Sequence, residues 1–93
     1  MKIRKGFYAN IAVIQFTYWF NKQNNTFIKA FSETMEGTPL VTIDFGDLNA
    51  EVIFEYSFQL GEIHQEAVTE NRFAIRSNRF PLPPKNDPNY SFD

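Results

Sequence analysis

The sequence predicts a mostly β domain, an antiparallel sheet or a small barrel or sandwich with at most one or two short helices, and three observations carry that expectation. Residues 51–60 alternate strictly, with Val52, Phe54, Tyr56, Phe58 and Leu60 on one side and Glu51, Ile53, Glu55, Ser57 and Gln59 on the other. Such a period of two is the signature of a half-buried strand. Val41, Ile43 and Phe45 alternate with Thr42 and Asp44, and the stretch from Gly46 to Ala50 has the length of a hairpin loop. Residues 7–21 are crowded with β-branched and aromatic side chains, which favour extended backbone.

Taken in chain order, residues 7–21 read as a long strand, and Asn24 and Asn25 then turn the chain back into a second strand over 27–32. A rival reading caps a short helix with Thr26, stacks Phe27, Phe31 and Met35 at every fourth position and ends it at Gly37. Residues 40–60 read as a hairpin whose aromatic face is core, which turns Asp44, Glu51 and Glu55 outward together and sets Asp47 at the tip. Residues 62–70 fit a strand or a helix. The helix sets Ile63 over Ala67, and it also stacks Glu62, Glu66 and Glu70, each like-charge pair costing about 0.2–0.5 kcal/mol. Residues 72–80 read as a closing strand with Phe73 and Ile75 alternating with Ala74 and Arg76. If both ambiguous stretches are helical, the alternative is an α+β sandwich of the ferredoxin-like kind, β-α-β-β-α-β.

One domain over 1–80 is expected, followed by a proline-rich extended tail over 81–93 that opens Pro81-Leu82-Pro83-Pro84. With 93 residues, 17% aromatic content, eleven Phe and no Cys, stability rests on packing rings and not on cross-links. The uncharged run 6–21 behind Lys2, Arg4 and Lys5 is too short for a span, and Asn10, Gln15, Thr17 and Asn21 interrupt it. It reads as a buried structural segment, and the expected location is the cytoplasm.

Charge is segregated along the chain. Residues 1–32 carry Lys2, Arg4, Lys5, Lys22 and Lys29 and no acid, whereas residues 33–70 carry nine acids and no Lys or Arg. The net charge of −2 conceals this division. Like charges within a Debye length of about 8 Å repel, so the fold either interleaves the blocks or shows a partner a negative face.

Little in the chain points to catalysis. The single histidine, His64, lies between Glu62 and Glu66, which in a strand would share its face and raise its pKa. No serine stands in a nucleophile-elbow context. Asp44, Asp47, Asn49 and Glu51 gather oxygen ligands around one loop, but the spacing is not that of a calcium loop. No metal or cofactor is expected.

The expected function is therefore non-enzymatic binding of a basic protein partner, as an inhibitor or a nucleic-acid mimic, with Asp44, Asp47, Glu51, Glu55, Glu62, Glu66 and Glu70 as contact residues. A second possibility is a single-stranded nucleic-acid binder using the basic ends and their aromatics. The alternating Phe54, Tyr56 and Phe58 would suit base stacking, but only by turning Glu51 and Glu55 into the core, which is costly. A third possibility is a structural subunit of a viral or other assembly.

Overall fold

The computed structural model describes residues 1–76 and 78–92. Six elements follow one another: β1 (Lys2–Gly6), α1 (Asn10–Asn24), β2 (Lys29–Met35), β3 (Thr38–Asp44), α2 (Ala50–Thr69) and β4 (Tyr90–Ser91). The fold is α+β, with a four-stranded mixed sheet of order β1-β3-β2-β4 and two long helices. The all-antiparallel sheet and the barrel are both corrected. The order of elements is that of the ferredoxin-like alternative. β3 pairs antiparallel with both β1 and β2, which makes a split β-α-β unit, and β4 adds to β2 in parallel.

Helix α1 replaces the long strand expected over 7–21. Six consecutive residues, Ala12 to Thr17, are buried, as is Phe20, because the helix touches β2, β3 and α2 together. A helix covered on so many sides carries no polar stripe, so its period is invisible, and tertiary packing overrides the β preference of its residues. Its start is closed by another segment and its end by its own cap. The Ala12 N–H donates to the Phe73 carbonyl at 2.9 Å, and Asn25, left-handed at φ 53°, donates its N–H to the Asn21 carbonyl.

The hairpin lies between β2 and β3, not over 40–60. Met35 pairs with Thr38 across a two-residue loop in which Glu36 and Gly37 both have positive φ, 52° and 81°. That geometry fits the twist of the flanking strands and suits Gly at the second position. Residues 27–36, ambiguous in the sequence, thus belong mainly to a strand, and Thr26 starts no helix; its hydroxyl donates to Asn21 Oδ1.

Residues 51–60 are the first half of α2, and residues 62–69 complete it, with Glu70 as its C-cap. The strand reading fails because these residues satisfy two periods at once: Val52, Ile53, Tyr56, Leu60, Ile63 and Ala67 also recur at helical spacing, and they are the ones the helix covers. Asn49 decides the matter locally, since its Oδ1 accepts the Val52 N–H at 3.0 Å as an N-cap.

The described part of 72–80 forms no strand. Its backbone groups are spent elsewhere: Ile75 N–H donates to Gln15 Oε1 at 2.6 Å, and Gln15 Nε2 donates to the carbonyls of Ile75 and Phe80 at 3.0 and 2.9 Å. From Pro81 the chain runs to β4, burying Pro83 and Tyr90 on the way. The core is a cluster of rings around Tyr56, whose centroid lies 5.2–5.3 Å from those of Phe16, Phe20 and Phe45. Its hydroxyl lies 2.7 Å from Thr17 Oγ1, which itself donates to the Val13 carbonyl, so Tyr56 is the donor. Burial pushes the Tyr56 phenol pKa far up.

Candidate functional site

The fold sorts the acidic block into two groups. Strand pairing takes the first. Residues opposite one another share a face of the sheet, so Lys2, Asp44 and Lys29 form one row, and Arg4, Thr42, Phe31 and Ser91 form the next. On this open face Arg4 pairs with Glu33, and Lys2 Nζ stands 4.0 Å from the Asp44 carboxylate. Asp44 Oδ1 also accepts the Gly46 N–H at 2.9 Å; that bond, ahead of the nearby lysines, holds its pKa below the usual carboxylate value. Here the fold interleaves opposite charges.

Helix α2 collects the second group. At 100° per residue, Glu51, Phe54, Glu55, Phe58, Glu62, Gln65 and Glu66 fall within one strip opposite the buried side chains. Helix α2 contains no Lys or Arg. Among the described residues no ion pair involves Glu51, Glu55, Glu62 or Glu66. Glu51, in the first turn, sits favourably against the positive end of the helix dipole, whereas Glu66 and Glu70 lie at its negative end. Glu70 is the C-cap and reaches Arg72 at 3.5 Å.

Two phenylalanines stand along one side of this strip, next to its carboxylates. Phe54 is 69% exposed and Phe58 61%, and their rings stack with centroids 6.3 Å apart. The Gln59 amide donates to Glu55 Oε1 at 2.6 Å beside them. The expectation that Phe54, Tyr56 and Phe58 share the core is corrected: a helix sends Tyr56 inward and the two phenylalanines outward. The base-stacking strand is corrected too, since these residues lie in α2. Sequence reasoning missed these two rings as surface residues; the Asn49 cap, followed by apolar residues at three- and four-residue spacing, was the signal for them.

Of the predicted contact residues, Glu51, Glu55, Glu62 and Glu66 come together on this flank. Asp44 closes β3, Asp47 lies in the β3–α2 loop, and Glu70 marks the end of α2, so these three are distributed around it. Glu66 and Glu70 also line a cavity of about 370 Å³ with Ile63, Ala67, Ala74, Ile75 and Arg76. Asn49 and Asp44, offered as oxygen ligands, spend those oxygens on backbone N–H groups. Among the described residues no group of three or more His, Cys, Asp or Glu is placed to hold a metal ion.

His64 is corrected as well. It lies on the half-covered side of α2, where Nε2 accepts the Ala9 N–H at 3.2 Å and the ring meets Phe7 edge-on at 5.2 Å. Glu62 and Glu66, two positions away in a helix, point elsewhere. Burial, and then the charge of Lys5, push its pKa down rather than up.

Comparison with protein-family models, with curated proteins and with solved structures finds no match to this chain. Among the described residues no helix is long and apolar enough to cross a membrane.

Proposed function

We propose that this protein is a non-enzymatic binding domain that presents the outer flank of α2 to a protein partner carrying an apolar groove rimmed by Lys and Arg. One observation carries the reading: the stacked pair Phe54 and Phe58, left exposed among Glu51, Glu55 and Glu62 on a helix with no basic residue. A ridge of rings along an amphipathic helix matches a groove, with anchors at i and i+4. Buried aromatic anchors supply most of the energy of such contacts, while the carboxylates around them steer the approach and reject acidic surfaces. Where the groove is one that otherwise holds nucleic acid, occupation by this flank would make the protein an inhibitor.

The test is capture with tagged protein from nuclease-treated lysate, followed by binding measurements on the purified partner. Phe54→Ala with Phe58→Ala should cost about 2 kcal/mol or more in affinity. Glu51→Lys with Glu55→Lys should slow association and remove its salt dependence. Phe54→Ala with Phe58→Ala should keep wild-type stability to within about 0.5 kcal/mol, because both rings are exposed, whereas Glu51→Lys with Glu55→Lys should lose about 0.5–1 kcal/mol, since it sets a cation at the positive end of the helix dipole. A partner that binds both variants as tightly as the parent would exclude this flank. Recovery of nucleic acid alone from untreated lysate would favour the open sheet face, where Lys2, Arg4 and Lys29 lie near Phe31.

A further inference from the structure

Among the described residues the sheet ends at β1 with one side unpaired, and the register fixes which of its backbone groups face outward. The Phe45 N–H donates to the Met1 carbonyl at 2.9 Å and the Phe7 N–H to the Pro39 carbonyl at 3.2 Å, so both ends of the β1–β3 ladder bond through odd-numbered β1-side residues. In an antiparallel pair hydrogen-bonded positions alternate, which assigns Ile3 and Lys5 to β3 and turns the N–H and C=O of Lys2, Arg4 and Gly6 outward. These three residues form a ready template for another strand.

Two further features define what fits the template. Strand β1 carries Lys2, Arg4 and Lys5 and no acid, and Lys5 has no ion-pair partner among the described residues. The pairs made by Lys2 and Arg4 are exposed and worth about 0–1 kcal/mol each, so an incoming carboxylate displaces them cheaply. Addition of β1 from a second copy is disfavoured, because antiparallel pairing centred on Arg4 sets that guanidinium opposite itself. At the Gly6 end a cavity of about 340 Å³ opens among Gly6, Phe7, Tyr8, Pro39 and Phe73, and the Tyr8 and Phe73 rings lie 5.0 Å apart at its mouth. Tyr8 and Phe73 are 45% and 56% exposed, so about half of each ring faces solvent.

We propose that the outer edge of β1 takes up an extended acidic peptide segment as a fifth strand, with one bulky apolar side chain of that segment seated in the cavity beside the packed Tyr8 and Phe73 rings. Main-chain bonds to Lys2, Arg4 and Gly6 give the affinity, and the cavity and the basic side chains give the choice of sequence. This surface is separate from the α2 flank, and neither reading depends on the other.

The test uses the full chain and two capped hexapeptides of alternating Glu and Val, one with Phe in first place and one with Phe in last place, to cover antiparallel and parallel addition. By amide NMR one of them should slow the hydrogen exchange of Lys2, Arg4 and Gly6 and shift the resonances of Tyr8 and Phe73. Binding should weaken as salt is raised, and a peptide with Lys in place of Glu should not bind. Arg4→Pro removes one outward N–H while leaving the β3 ladder intact, and should lower affinity about tenfold or more; Arg4→Gln, which keeps that N–H, should lose less. Phe73→Ala, which leaves β1 untouched, should also weaken binding. Failure of both peptides to bind at about 1 mM, where even a contact of about 4 kcal/mol registers, would overturn the proposal. So would protection confined to α2.

Discussion

Gln15, Thr17 and Asn21 are three of the four side chains that break the apolar run near the N-terminus, and each one ties a separate part of the chain to α1. Gln15 holds the 75–80 segment through three hydrogen bonds. Thr17 receives the Tyr56 hydroxyl at the centre of the core. Asn21 accepts from the Ile28 N–H and the Thr26 hydroxyl, and donates to the Ile28 carbonyl and to Tyr90 Oη at 2.7 Å. A buried polar group without a partner costs about 1–3 kcal/mol, so Gln15→Leu, which orphans backbone groups of Ile75 and Phe80, should destabilise by about 2 kcal/mol in urea unfolding. His64 gives a second prediction at this scale. Its folded pKa lies below the ordinary 6.5, so as pH falls the unfolded chain takes up the proton first. The stability it contributes is complete above about pH 6.5 and drains away as pH drops through the folded value, where protonation of Nε2 also breaks the Ala9 bond. Unfolding followed from pH 7.5 to 5 should show this loss in the parent and a flatter profile in His64→Gln.

At the scale of elements, legibility depended on how much of each segment faces water. Strand β3 was readable because Val41 and Ile43 are buried while Thr42 and Asp44 between them are only half-covered, and the alternation identified there is the alternation of the sheet. Helix α1 was not readable, since a segment buried on most sides obeys neither period. Helix α2 was misread for the opposite reason: Phe54 and Phe58, the rings that completed the alternating pattern, owe nothing to the core. An exposed aromatic pair therefore disguised the helix and is also the strongest feature of its surface. The acids of α2 were legible as a block with no basic residue in it, but which of them share a flank depended on the helical spacing. Gly61 supplies a direct test of that helix. It lies exposed within α2, and a β-carbon there meets nothing within 4 Å. Gly61→Ala should stabilise the protein by about 0.5–1 kcal/mol, measured by urea or thermal unfolding.

For the whole molecule, the charge division along the sequence becomes a division in space. Acids of β2 and β3 are matched by the basic residues of β1, and the carboxylates of α2 are left to solvent. Repulsion among the latter should be relieved by salt, so the protein is expected to gain stability between low ionic strength and about 0.5 M salt, less so in the variant Glu62→Gln with Glu66→Gln. The fourth strand has a different kind of importance. Tyr90 is buried, meets Tyr18 edge-on at 5.6 Å and receives the Asn21 amide, while β4 covers the edge of β2. Residues 90 and 91 leave the ribosome after every other element of the fold has been made. During synthesis the edge of β2 is accordingly bare until β4 emerges, and the Asn21 clamp is half formed. Long-range closure of this kind slows folding, and the interval before β4 docks is when a nascent chain of this sequence would most need a chaperone to keep its open strand from a neighbour's.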